Sequence, residues 1–300
     1  MKNFLLNKIV FIIGFSLISI FVYRHYINNY KYYEIFKNYG DSIKAKSQTD
    51  IILFGSSIEN HTDYESESSF RISEILDTLT KKKVRHISNP GFYMPVYYSF
   101  IKSISSAQNT KPLTLIVPIN MRSFSITWYG SRYNQFRDID LALSPQTFIN
   151  KEYFNVKNSK KIKIGCNTDI SLDYFMASFF LSSNDNNLEK CVYYDYLIKP
   201  NNFVLNYLIK ITNIKSKNLN IVFYFEPLDY LNLTENQRIS LNQNINFLKK
   251  LLDEKRHEYI DLSKSIDSGL FDYKKTFNEH TKQFGKYLTA KHLNDSISFY

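Results

Sequence analysis

The stretch that decides the fold is residues 51–57, which read IILFGSS. Four consecutive apolar residues that stop at a Gly-Ser-Ser turn are typical of a strand buried on both faces, as the strands of parallel sheets are. A serine at a tight strand-to-helix turn exposes its hydroxyl oxygen, and the start of the following helix favours negative charge there. The stretch therefore predicts a parallel strand that ends at a candidate nucleophile, Ser57.

Predicted strands and helices alternate along much of the remaining chain, as they do in α/β proteins. This alternation predicts a three-layer α/β sandwich, in which helices cover both faces of one parallel sheet. The further strands are expected at Val84–Ser88, Leu113–Val117, Asn220–Phe225 and Tyr259–Leu262, and the helices at Ser68–Lys81, Pro95–Ala107, Glu235–Glu254 and Lys286–Asp295.

Composition and charge narrow the class of protein. The chain has 300 residues, of which 44% are hydrophobic and 22% charged, so a mostly disordered chain is excluded. We interpret residues 50–300 as a globular domain. The formal net charge of +10 favours anionic surroundings such as a membrane surface or an acidic polymer. No nucleic-acid-binding motif accompanies this charge, so nucleic acid is not an expected partner.

Residues 1–27 are predicted to form an N-terminal signal anchor. Apolar residues run from Ile9 to Tyr23, and Phe4–Leu6 extend the run toward the length that a membrane span needs. Large residues follow where signal cleavage requires small ones, so the anchor is expected to remain as a transmembrane helix. A buried N-terminal helix is the alternative. Residues 28–49 are polar and tyrosine-rich and are predicted to connect the anchor to the domain as a stalk.

The alternation lapses at about residues 121–218, which we interpret as an insertion. So long a segment either caps the strand ends or completes the core, and the sequence leaves both open. Cys166 and Cys191 lie within it and either form one disulfide or remain free thiols. The six histidines show no H-E-x-x-H pattern, so neither a metal nor another cofactor is predicted.

Four residues that follow predicted elements form a candidate catalytic site. Ligands of open parallel sheets bind at the carboxyl ends of the strands, where Ser57, Gly91 and Asn120 are expected. His280 precedes the last predicted helix at the same edge and is the candidate base for Ser57. The oxyanion of an attacked ester would be bound by the backbone amides of Ser57 and Gly91 and by the side-chain amide of Asn120. Considered alone, each of these residues also fits a structural role, as a helix cap, a turn residue or a loop residue.

These four residues, in this chain order, resemble the four sequence blocks of the SGNH or GDSL hydrolase superfamily. The stretch 51–57 is similar to the Gly-Ser-Ser variant found in membrane-anchored members that act in extracytoplasmic polymer acylation, with Ser56 in place of the usual aspartate. The block that contains Glu279 and His280 is similar to that of SGNH-like proteins from polysaccharide gene clusters. The resemblance covers roughly residues 50–295, without the insertion.

The resemblance implies a flavodoxin-like sandwich and a serine-dependent transfer of O-acyl groups, with O-acetyl expected, on a cell-surface polysaccharide. It also implies that the domain lies outside the cytoplasmic membrane and works beside a membrane-bound O-acyltransferase. Whether the protein is an O-acetyl esterase or an O-acyltransferase stays open, because both share the acyl-enzyme step and differ in whether water or a sugar hydroxyl accepts the acyl group.

One departure from the family pattern keeps a non-catalytic function open. The superfamily usually has an aspartate three residues before the histidine, and Phe277 occupies that position here. Asp272, Asn278 or a backbone carbonyl that accepts the Nδ1 proton is expected to orient the imidazole instead. Without such a partner, the chain would be a non-catalytic scaffold or a carbohydrate-binding protein of surface-polymer assembly. Arg122 and Trp128 either contact substrate or pack inside the domain, and the sequence does not separate the two.

Overall fold

The computed structural model describes residues 12–19, 48–60, 70–106, 111–125, 162–164, 168–170, 196–271 and 279–297. Several residues named above lie outside these ranges, and their predicted roles are therefore not tested by the structure. They are Trp128, Cys166, Cys191, Asp272, Phe277 and Asn278.

The core of the molecule is a five-stranded parallel sheet with the strand order β2-β1-β3-β6-β7. Its strands are β1 (Ile51–Gly55), β2 (Val84–Ser88), β3 (Leu113–Ile119), β6 (Leu219–Phe225) and β7 (Tyr259–Asp261). Two further strands, β4 (Ile162–Ile164) and β5 (Thr168–Ile170), form a separate antiparallel pair. The predicted α/β class with a parallel sheet is confirmed.

Among the residues that the structure describes, six helices accompany the parallel sheet, and two of them lie between β1 and β2. The six helices are α1 (Ser57–Asn60), α2 (Ile72–Thr80), α3 (Met94–Ser106), α4 (Phe203–Thr212), α5 (Glu235–Glu254) and α6 (Gln283–Ser296). Short 3-10 turns lie at Met121–Phe124, Tyr230–Asn232 and Ser268–Leu270.

The helices cover both faces of the sheet, as a three-layer sandwich requires. Residues of β1 alternate between two apolar clusters, because successive side chains of a strand point to opposite faces. Ile52 and Phe54 pack with residues of α3, α4 and α5. Ile51 and Leu53 pack with residues of α1, α2 and α6 on the other face. Because β1 is buried on both faces, its sequence is a continuous run of apolar residues and not an alternation of apolar and polar ones.

Part of the predicted insertion belongs to the core. Helix α4 buries Val204, Leu208 and Ile211 in the same cluster as α3 and α5. It begins at a local sequence signal, since the side chain of Asn202 accepts a hydrogen bond from the amide of Leu205 at 3.1 Å. The segment just before β6 therefore completes the sandwich as the helix that connects β3 to β6. Residues 126–161 of the predicted insertion lie outside the described ranges.

Residues 12–19 are helical, and their apolar side chains are exposed; Phe15, for example, is 64% exposed. Within the described ranges, no helix has both the length and the apolar character needed to cross a membrane. The rest of the predicted anchor lies outside those ranges, so the anchor stays a prediction.

Candidate active site

The strand order brings the predicted site residues to one edge of the sheet. Strands β2 and β3 flank β1, so the chain leaves β1 toward one side and later returns to the other. This change of direction opens a crevice at the carboxyl ends of β1 and β3, where ligands of such sheets bind. Ser57 follows β1, and Asn120 follows β3 directly.

The turn after β1 depends on a glycine that has no room for a side chain. A Cβ atom on Gly55 would lie 2.4 Å from the Cβ of Glu59 and 3.2 Å from that of Ser88. Helix α1 therefore folds back tightly against the end of β1 and buries Glu59 beside it. Because α1 begins at Ser57, the same tight turn fixes the position of the candidate nucleophile.

Ser57 and His280 form a serine–histidine pair across 223 positions of the sequence. The Oγ of Ser57 lies 3.4 Å from the Nε2 of His280. Ser57 is partly exposed, whereas the neighbouring Ser56 is 3% exposed and its Oγ accepts a hydrogen bond from the amide of Ile58. Of the two adjacent serines, Ser57 is thus the one placed to react with a substrate.

Gly91 lies in a tight turn after β2. The amide of Phe92 donates a hydrogen bond to the carbonyl of Asn89 at 3.0 Å, and Gly91 has φ 85°. A proline followed by a residue with positive φ is the signature of a type II turn, so Pro90 and Gly91 meet its requirement. The turn explains why glycine occupies this position, and the role of its amide in an oxyanion hole stays a prediction.

The side chain of Asn120 is engaged inside the protein. Its Nδ2 donates hydrogen bonds to the Oε2 of Glu226 at 2.7 Å and to the Oε2 of Glu279 at 3.0 Å. Its Oδ1 accepts a bond from the amide of Ser123, where it caps a 3-10 turn. An amide nitrogen has two protons, and both are used here. The predicted contribution of Asn120 to the oxyanion hole therefore requires that one of these bonds be exchanged for the substrate.

Arg122 completes a buried cluster with the two carboxylates. Its Nη2 lies 3.2 Å from the Oε2 of Glu279, and both side chains are almost fully buried. Arg122 is thus packed inside the domain, and its contact with substrate stays a prediction. We call Asn120, Arg122, Glu226 and Glu279 the carboxylate cluster. Although it holds two acidic groups, no three His, Cys, Asp or Glu side chains of the described ranges are placed to hold a metal ion.

The sequence argument assigned no role to two members of this site, Glu279 and Glu226. Of these, Glu226 follows β6 directly and is 2% exposed. The signal was present, because an acidic residue comes immediately after the buried run of β6, at the same sheet edge as Ser57 and Asn120.

Burial changes the protonation of two glutamates near the site. Desolvation raises the pKa of Glu226 to about 8; the neighbouring Glu279 raises it further, against smaller opposing effects of Asn120 and Arg122. Desolvation likewise raises the pKa of Glu59 to about 7, although a hydrogen bond from the backbone amide of Ser73 favours the ionised form. Glu226 is therefore mostly protonated at neutral pH, which leaves one carboxylate of the cluster to pair with Arg122.

These raised pKa values predict that the fold loses stability as the pH rises. Between pH 4.5 and about 8 the folded chain binds more protons at Glu59 and Glu226 than the unfolded chain does, so the free energy of unfolding falls. The pKa of His86 is lowered by burial, which makes the free energy of unfolding rise with pH, but only below the ordinary histidine pKa of 6.5. We expect a fall on the order of 2 kcal/mol between roughly pH 6.5 and 8.5.

Urea unfolding of the full-length protein at several pH values measures this dependence. Glu226→Gln removes the ionisable group with the higher pKa, so its free energy of unfolding should change less between pH 7.5 and 8.5 than that of the wild type. Equal slopes in the two proteins would contradict the assignment.

Comparisons with known proteins find distant structural likenesses. No protein-family model and no curated protein matches the sequence. The chain is similar to a member of the lipolytic protein G-D-S-L family from Veillonella parvula, at 13% identity and a TM-score of 0.43, over 82% of this chain and 96% of that one. It is also similar to a putative lipolytic protein of the G-D-S-L family from Desulfitobacterium hafniense, at 10% identity and a TM-score of 0.42, over 83% and 99% of the two chains. A catalytic mutant of Axe2, an acetylxylan esterase from Geobacillus stearothermophilus, matches at 11% identity and a TM-score of 0.40, over 84% and 95%. Likenesses this distant carry no argument about function, so the function of this chain rests on the residues of its own site.

Proposed function

We propose that this protein is a serine-dependent acyl-transfer enzyme that acts on O-acyl, and specifically O-acetyl, groups of a cell-surface polysaccharide. The observation that carries the proposal is the pairing of Ser57 Oγ with His280 Nε2 at 3.4 Å, at the carboxyl edge of a parallel sheet. A nucleophile within reach of a base is the arrangement that covalent acyl transfer requires. Catalytic hydrogen bonds are often this long in the absence of substrate and tighten in the complex with it.

The proposed reaction has two steps. Ser57 Oγ attacks the ester carbonyl carbon while His280 Nε2 takes its proton, and the resulting oxyanion is bound by backbone amides of Ser57 and Gly91. The bond to the leaving sugar oxygen then breaks, and that oxygen takes the proton from His280. Water or a second sugar hydroxyl next attacks the acyl carbon and gives its proton to His280. The bond between the acyl carbon and Ser57 Oγ then breaks, His280 returns the proton to Ser57 Oγ, and the acid or the acylated acceptor leaves.

The proposal includes a location and partners. The domain would lie on the outer side of the cytoplasmic membrane, held by the anchor predicted at residues 1–27, and would work beside a membrane-bound O-acyltransferase. The exposed apolar side chains of the helix at residues 12–19 support the anchor, because such a surface is stable in contact with lipid.

A second candidate is a non-catalytic scaffold or carbohydrate-binding protein of surface-polymer assembly. The observation that favours it is the side chain of Asn120, whose two amide protons are donated to Glu226 and Glu279 rather than directed to a substrate. An oxyanion hole without this donor would stabilise the transition state less.

Labelling of the full-length protein with a fluorophosphonate separates the two candidates. This reagent reacts covalently with activated serines, so the enzyme should be labelled at one residue, which peptide mass spectrometry should identify as Ser57. Prior heating should abolish the labelling. A folded protein that resists the reagent would contradict the enzymatic proposal and favour the scaffold.

A further inference from the structure

Glu279, the residue before His280, contacts the residues that follow β3. The carboxylate of Glu279 is fully buried and contacts two groups that follow β3, namely Nη2 of Arg122 at 3.2 Å and Nδ2 of Asn120 at 3.0 Å. A charged, hydrogen-bonded contact of this kind is stronger than one between neutral groups. The position of the backbone next to His280 is thus set from β3.

Ser57 is connected to β3 through strand β1. It follows β1, and β1 pairs with β3 in parallel register, with Leu53 opposite Ile116. The two reacting atoms are therefore connected through a closed path, which runs from Ser57 along β1 to β3 and from the end of β3 through Glu279 to His280. A change at Glu279 alters a side-chain contact of this path and leaves its covalent bonds and its sheet hydrogen bonds in place.

The charges of the carboxylate cluster balance only while Glu226 keeps its proton. Arg122 supplies one positive charge and Glu279 one negative charge, and the raised pKa of Glu226, about 8, leaves that group mostly neutral at pH 7. In the part of the chain that the structure describes, Glu59, Tyr97 and Tyr224 also interact electrostatically with Glu226, and none of these three adds a positive charge. Ionisation of Glu226 would leave two carboxylates sharing the single Nδ2 of Asn120, and a buried like-charge pair is costly.

We propose that Glu279 is a positioning residue of the proposed reaction, which holds His280 Nε2 at Ser57 Oγ through its buried contacts with Arg122 and Asn120, and that Glu226 must stay neutral for this to work. The inference rests on the proposed function. It concerns the placement of the base and not contact with substrate. A misplacement of about 1 Å is enough to slow catalysis about 100-fold, so the effect should appear in rate rather than in binding.

The test measures fluorophosphonate inactivation of the full-length protein at several reagent concentrations, which separates the maximal rate from the half-saturating concentration. Glu279→Gln keeps the shape of the side chain and removes its charge. We expect its maximal rate at pH 7 to fall about 10- to 100-fold with an unchanged half-saturating concentration. Arg122→Met should show a similar fall, and Arg122→Lys, which keeps the positive charge, should recover part of the rate.

Asp295→Asn is the matched control. It also removes a carboxylate from an ion pair, with Lys291 at 2.7 Å, but that pair is about half exposed on α6, so the rate should stay within about twofold. A wild type that reacts and a folded Glu279→Gln that reacts equally fast would overturn this inference alone. A folded wild type that does not react would overturn the proposed function and this inference with it.

Glu226→Gln provides an independent test, should Glu279→Gln fail to fold. The inactivation rate of the wild type should fall about tenfold between pH 7 and pH 9, as Glu226 ionises. Glutamine cannot ionise, so the rate of the variant should fall less over the same range. A merely structural contact would not alter the shape of the pH profile. Identical ratios of the two rates in the two proteins would overturn the role of Glu226.

Discussion

Replacing Ser57 with alanine is expected to lower the kcat of the full-length protein for an aryl acetate by on the order of 10³-fold or more, with little change in KM. The reason is that the Oγ of Ser57, 3.4 Å from His280 Nε2, forms the covalent bond to the acyl group, and alanine offers no atom to replace it. Residual turnover would come from water attacking an ester held in the same crevice. Initial-rate measurements over a range of ester concentrations give both constants.

Ser56→Ala is the matched control, because it deletes the same hydroxyl one residue earlier. Ser56 is buried, and its Oγ accepts a hydrogen bond at 3.4 Å from the amide of Ile58, so its loss should affect stability slightly and kcat by less than about threefold. If Ser57→Ala kept the wild-type kcat, or if Ser56→Ala lost as much activity as Ser57→Ala, the assignment of the nucleophile would be wrong.

Burial on both faces made most of the sheet predictable. Mostly apolar, buried runs mark the three central strands β1, β3 and β6, whereas the edge strands β2 and β7 are short and only partly apolar. The predicted bounds of Val84–Ser88 and of the helix Glu235–Glu254 agree with the structure. Helix α4 was missed, because it lies in the part of the sequence where the alternation of predicted elements lapses. Helix α1 was missed because it has four residues, too few for helical periodicity to show.

Of the candidate site, only the residues that lie next to the ends of predicted strands and helices could be predicted from the sequence. The chain positions of Ser57, Asn120 and His280 follow from the elements that precede or follow them. The partners of Asn120 do not, since Glu226 and Glu279 are 106 and 159 positions away in sequence. Such contacts depend on how the strand-end segments pack in three dimensions, which local patterns do not encode. For the same reason the sequence left Arg122 undecided between substrate and core.

Replacing His280 with alanine is the second change expected to have a large effect. The imidazole is 8% exposed, and its Nε2 faces the nucleophile, so its loss removes the group that accepts the proton of Ser57. We expect kcat for an aryl acetate to fall on the order of 10³-fold, close to the effect of Ser57→Ala. His292→Ala, a change of the same residue type farther along α6, should keep most of the activity.

The double variant Ser57→Ala/His280→Ala tests whether the two residues act as one unit. A hydroxyl and the base that activates it contribute to the same step, so removing the second after the first should cost little more, and the double variant should be about as slow as Ser57→Ala alone. Independent roles would instead multiply the two losses, to roughly 10⁶-fold. A multiplied loss would mean that His280 acts on something other than Ser57, such as the substrate, and the 3.4 Å contact between them would not be the one used in catalysis.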